Sequence, residues 1–158
     1  MYTFLKALHV ISMFGAVTLL MGDAYFLGLA FWRRDVQALA AMHRLAPGLG
    51  LTTAGLILFL VGIAFGLILA AAGQLNFLSG WLIAAYIIVA ALIATNASPF
   101  VQRLRPLVRQ AAEVADGKRS EQEVVIGMDS VRSGLLLAIA INTVLFILVI
   151  ADMVLKPL

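Results

Sequence analysis

The chain contains no cysteine. Disulfides, thiolate metal sites and thiol nucleophiles are therefore excluded, while the redox compartment stays open. Charge is scarce: 12% of the 158 residues are Asp, Glu, Lys or Arg, against 63% apolar. An ordinary soluble domain is roughly half apolar and a quarter charged. No water-soluble fold of this length hides so much apolar surface, so the composition indicates an integral membrane protein. Catalytic patterns are missing too. There is no nucleophile–histidine–carboxylate set, no HExxH, no P-loop and no GxGxxG after a strand. The basic residues flank apolar runs with no aromatic groove beside them, which speaks against nucleic acid as a partner. No polar linker divides the chain, so one domain is expected. The first apolar run is too long for the core of a secretory signal.

What is present is a set of long apolar runs. Residues 4–31, 49–72, 78–98 and 134–154 each reach the length of about 20 apolar residues that a spanning helix needs. The expected fold is all-α, a four-span transmembrane helix bundle. Basic residues set its orientation. Arg33, Arg34 and Arg44 lie in the first connection, and Arg103, Arg105, Arg109, Lys118, Arg119 and Arg132 in the third. These are nine of eleven basic residues, against Lys6 and Lys156 on the other side. The reading is a multi-pass protein of the cell's inner (plasma) membrane, with both connections cytoplasmic and both termini outside.

The connections themselves read as helical. "DVQALAAMHRLAPG" starts a helix at Asp35, with Pro47 and Gly48 marking a break. Residues 99–133 alternate charged and apolar residues at helical spacing and break at Asp116-Gly117. Ser120 with Glu123 three residues on forms a capping box. The expectation is a cytoplasmic helical hairpin continuing the third and fourth spans. It is either a solvated stalk or a docking surface.

The second span carries a stripe of small residues. Gly48, Gly55 and Gly62 recur every seven residues, and Gly66, Ala70 and Gly73 continue the face. Small residues let helix backbones approach closely in lipid. The stripe serves packing within the bundle or a seam with another subunit.

Two ionisable groups stand out in the first span. At about 100° per residue, His9, Ser12, Ala16, Leu19 and Asp23 share one strip, which must face protein because a charge in lipid is costly. Depth then selects neighbours. Asp23 belongs to a polar layer with Thr52, Thr53, Asn96, Ser98 and Arg132. Its readings are a structural carboxylate or a proton or cation site, as in a small exporter. His9 lies near the depth of Tyr86 and within reach of Asp152. It reads as a structural histidine or as the axial ligand of haem b iron, with Asp152 orienting the ring and Met13 as a candidate second ligand. His43, the other histidine, is on the order of 30 Å away at 1.5 Å per residue, so one haem cannot bridge the two. His43 itself sits beside Arg44 in an interfacial stretch.

The opening "LKALHVISMFGAVTLLMG", with Lys6, Leu8 and His9 followed by small residues, resembles the first span of a loose superfamily of small multi-span proteins. It includes copper-resistance D-like proteins, the membrane-bound haem-containing protoporphyrinogen oxidases of bacteria, and a predicted integral membrane family of unknown function. "SGWLIAAYIIVAALIA" and "PFVQRLRP" resemble the last of these most. The oxidase branch implies a haem-binding role for His9. Phe14-Gly15-Ala16 stand where that branch commonly has a tryptophan and paired small residues.

Three functional expectations follow. The first is a small non-enzymatic membrane subunit or accessory protein, held in the lipid bilayer within a homo-oligomer or beside other membrane subunits. The second is a b-type haem protein in electron transfer or porphyrin handling, and the third a proton-coupled exporter using Asp23.

Overall fold

A computed structural model describes residues 1–45, 51–96 and 103–154. Among them the chain is all-helical, with six helices and no strand. They are α1 (Tyr2–Arg33), α2 (Val36–Leu45), α3 (Leu51–Ala72), α4 (Gly80–Asn96), α5 (Leu104–Ala115) and α6 (Glu121–Val154). Three of them, α1, α3 and α6, are long and apolar enough to cross a membrane, and α4 is a shorter apolar helix of 17 residues. At 1.5 Å per residue α1 and α6 reach about 50 Å, well beyond a hydrocarbon layer of about 30 Å. A bilayer of that thickness would leave part of each outside it.

The C-terminal end of α1 and the N-terminal end of α6 meet α2 and α5 in a helical cap. Asp35 starts α2 by accepting the Ala38 backbone N–H on Oδ1 at 2.8 Å, which satisfies one of the free donors of the first turn. Val36, Leu39 and Ala40 form its buried face, at helical spacing. In α5 the buried residues are Leu104, Leu107 and Ala111, with the charges on the opposite side. Pro106 sits in the first turn, where its missing N–H costs nothing. Gly117, at φ 70°, makes the left-handed turn after α5. These faces close on Phe31 of α1 and on Val124, Met128 and Val131 of α6. Phe31, Leu39, Ala111, Val124 and Met128 are completely buried. The expected hairpin is thus not a bare stalk, because α2 packs along it. Whether α5 continues α4 falls in residues 97–102, and the Pro47-Gly48 break in residues 46–50, both outside the described residues.

Beyond the cap the apolar helices pair. α1 packs along α3, and α6 packs along both α4 and α1. A continuous strip of α6 is buried: Val124, Met128, Val131, Leu135, Ile139, Asn142, Phe146 and Val149. The steps of three and four residues are those of a helix seam with a 3.5-residue repeat. A second core gathers Met13, Ala16, Phe59, Leu92, Phe146 and Val149, with Phe59 and Phe146 edge to face at 6.4 Å. Phe14, Ile11, Ile87, Leu137 and Ile147 point outward and are more than half exposed, as side chains facing acyl tails would be.

Candidate functional site

The α1–α3 seam collects most of the residues singled out in the sequence. A Cβ on Gly55 would come within 2.8 Å of Leu20, one on Gly62 within 2.5 Å of Met13 Sδ, and one on Gly66 within 3.0 Å of the His9 ring. The absence of side chains at these three positions lets α1 lie against α3. The two helices run antiparallel, with Asp23 beside Thr52 at one end and Tyr2 near Gly73 at the other.

His9 is half-buried in this seam, its Nδ1 2.7 Å from the Gly62 carbonyl oxygen. A carbonyl only accepts, so Nδ1 carries a proton and donates it to this contact. The contact ties α1 to α3. Ser12 and Ala16 are buried, so the strip that begins at His9 faces protein.

The companions expected around His9 are placed elsewhere. Met13 fills the space over Gly62 inside the seam. Asp152 does not orient the imidazole, since the Gly62 carbonyl holds Nδ1. The α1–α6 register, fixed by Tyr25 at Thr143 and Gly28 at Ile139, sets Asp152 level with Ala16, about 10 Å along the axis from His9 at 1.5 Å per residue. Tyr86 is level with Asp152, ten residues along from the Asn96–Asn142 contact on each helix, and is 40% exposed. Register thus separates His9 from Asp152 and Tyr86, and the orienting role expected of Asp152 is taken by the Gly62 carbonyl. Among the described residues no three His, Cys, Asp or Glu side chains gather as a metal site.

The layer expected around Asp23 is divided among three contacts. Thr52 Oγ1 donates to Asp23 Oδ2, joining α1 to α3. Thr53 is exposed. Asn96 turns to α6, donating to the Leu92 carbonyl at 2.8 Å and to Asn142 Oδ1 at 3.4 Å. Arg132 lies over the Trp32 ring, 4.6 Å from its centroid. Ser98 lies outside the described residues. The residues expected to surround one carboxylate thus bridge three different helix pairs.

The sequence reading passed over Asn142, Tyr25 and Thr143. Thr143 donates to the Ile139 carbonyl at 2.8 Å, so the Tyr25 hydroxyl donates the 3.0 Å bond to Thr143 Oγ1. An amide and a hydroxyl side by side in the fourth apolar run were the available signal. Among the described residues two buried atoms, Asp152 Oδ2 and Ser79 Oγ, take no hydrogen bond. They lie on α6 and just before α4, toward the ends remote from the cap.

The cap is edged by ion pairs. Arg34 Nε meets Asp129 at 2.9 Å, Arg44 meets Asp116 at 3.1 Å, and Arg119 bridges Glu113 and Glu123 at 3.1 Å each. Arg119 and then Arg109 hold the Glu113 carboxyl below the usual carboxylate range by hydrogen bonding. Arg34, paired with Asp129, is pushed up in turn. Glu123 thus serves Arg119 across the α5–α6 corner.

Comparison with protein-family models, curated protein sequences and solved structures finds no match to the chain.

Proposed function

We propose that the chain is a non-enzymatic helical membrane subunit that presents its cap to a partner, either a second copy or another membrane protein. In this reading α4 is a fourth span, the cap is cytoplasmic, and both termini lie outside the plasma membrane. The nine-to-two distribution of basic residues supports that orientation. At about 26 Å, α4 stands near the lower limit for a span.

The observation that carries the proposal is the buried core of the cap. A connection between neighbouring helices needs only about 2–8 residues. Here α2, α5 and the first turns of α6 enclose side chains as fully buried as any in the molecule, among them Leu39, Val124 and Met128. Such a body holds its outer face in a fixed shape. Among the described residues that face is mostly charged or polar, and Ile126, 66% exposed, is its large exposed hydrophobic side chain. The polar side chains within the apolar lengths support the same reading, because they bridge helix to helix: His9 to Gly62, Asp23 to Thr52, Asn96 to Asn142 and Tyr25 to Thr143.

Light scattering on protein extracted in mild detergent tests the proposal. The expected species holds at least two chains of 16.9 kDa, or one chain with a second subunit in equal amount. Ile126→Lys should release the single chain while leaving its helix content unchanged. A wild-type preparation that is a lone chain throughout would overturn the reading.

A further inference from the structure

The outer face where α1 meets α6 carries a shallow apolar groove. Tyr25, Gly28, Leu29 and Trp32 form one wall, and Leu136 and Ile139 the other. Gly28 permits the close approach, since a Cβ there would lie 2.8 Å from Ile139 Cδ1. The two ends differ chemically. At the deep end the Tyr25 hydroxyl is already bonded to Thr143. At the cap end the Arg132 guanidinium lies over the Trp32 ring, one turn of α6 before Leu136.

Arg132 differs from the ion-paired arginines of the cap and shares with Arg33, Arg103 and Arg105 the lack of a carboxylate partner among the described residues. Arg34, Arg44, Arg109 and Arg119 each meet a carboxylate, whereas Arg132 has none within ion-pair distance among the described residues. Asp129, one turn away, is held by Arg34. Trp32 is 61% exposed at the last turn of α1, beside Arg33, where indoles favour the membrane–water boundary. The sequence at this end adds an excess of positive charge: nine basic residues stand against Asp35, Glu113, Asp116, Glu121, Glu123 and Asp129.

We infer that this groove binds an anionic phospholipid, its phosphate on Arg132 beside Trp32 and one acyl chain along Leu29, Leu136 and Ile139 toward Tyr25. A cation on an indole at the boundary, continuous with an apolar channel running into the hydrocarbon, matches the two halves of such a lipid. An apolar helix from another protein would fill the channel and leave the guanidinium without a counter-charge. The inference requires only that α1 and α6 lie in a bilayer. It is independent of any assembly through the cap.

The chain has two tryptophans, so Trp81→Phe leaves Trp32 as the single indole emitter. In phosphatidylcholine nanodiscs, brominated phosphatidylglycerol should quench Trp32 with an apparent association about fivefold above that of brominated phosphatidylcholine, the factor expected for one basic residue near an anionic surface. Arg132→Gln should abolish the preference, and Arg109→Gln, which removes the same charge elsewhere on the cap, should keep it. Equal quenching by the two lipids in the Trp81→Phe protein overturns the inference. So does an Arg109→Gln protein that loses as much preference as Arg132→Gln. Should Arg132→Gln fail to fold, the comparison of the two lipids in the Trp81→Phe protein decides alone.

Discussion

Gly62 meets the Met13 sulfur at the place where any other residue would carry its own Cβ. The backbone N of Met13 lies 3.4 Å from the same point, so retreat of the flexible thioether relieves only part of a clash. Gly62→Leu should therefore part α1 from α3 and destabilise the protein by about 1–3 kcal/mol, the usual effect of overfilling a packed interior. Met13→Ala in the same chain should recover part of that loss, which a double-mutant cycle on unfolding midpoints in mixed micelles would register. His9 acts nearby by another means. His9→Ala removes the bond to the Gly62 carbonyl and should lower stability by about 0.6 kcal/mol, a typical interhelical bond in a membrane protein. Gly55, Gly62, Gly66 and His9 were all visible in the sequence as residues that must face protein. Their mutual partnership was not, because depth along a helix does not say which neighbour stands opposite. Asn142 shows the same gap from the other side. A lone amide in an apolar run signals an interhelical bond, but its partner, Asn96, is fixed only once α4 and α6 are laid together.

At the scale of elements, the apolar lengths and the end signals were legible because they are local. Asp35 caps α2, and Asp116-Gly117 ends α5, as short-range chemistry requires. What escaped was the packing of α2 on α5, a contact between segments some 70 residues apart. Its buried residues, Leu39, Ala40, Leu107 and Ala111, read equally well as one face of any surface helix. The α5–α6 corner gives this scale its test. Glu113 is held below its ordinary carboxylate value by Arg119 and Arg109. A carboxylate whose folded-state value is lowered contributes stability that is fully present above its unfolded value and is lost as pH falls through the folded one. Glu113 is only half-buried at the protein surface, so the contribution is small. Hydrogen exchange of the α5 C-terminal turn should be faster in Glu113→Gln than in the wild type near neutral pH. The difference should close as the solution is acidified below the ordinary carboxylate range. A difference that persists unchanged at acid pH would assign the effect to something other than charge.

The whole molecule joins a seam of apolar helices to a packed polar-faced cap, and its placement in the bilayer turns on α4. The absence of cysteine makes the placement measurable, because any introduced thiol is the only one in the chain. Leu78, 78% exposed, lies in the turn before α4, and Lys118 in the exposed turn between α5 and α6. If α4 crosses, these two positions face opposite sides. If the basic residues hold the cap inside, as proposed, an impermeant maleimide added to intact cells should label Leu78→Cys, and Lys118→Cys only after permeabilisation. If α4 stays on one side, three crossings place both thiols on the same face, and both are labelled or protected together. The reverse pattern, Lys118→Cys labelled and Leu78→Cys protected, keeps four crossings and inverts the protein, putting the cap outside the cell and the Arg132–Trp32 pair at the outer leaflet. The residue with the charge then names the leaflet as well: the lipid that Arg132 holds must come from whichever side labels with Lys118→Cys.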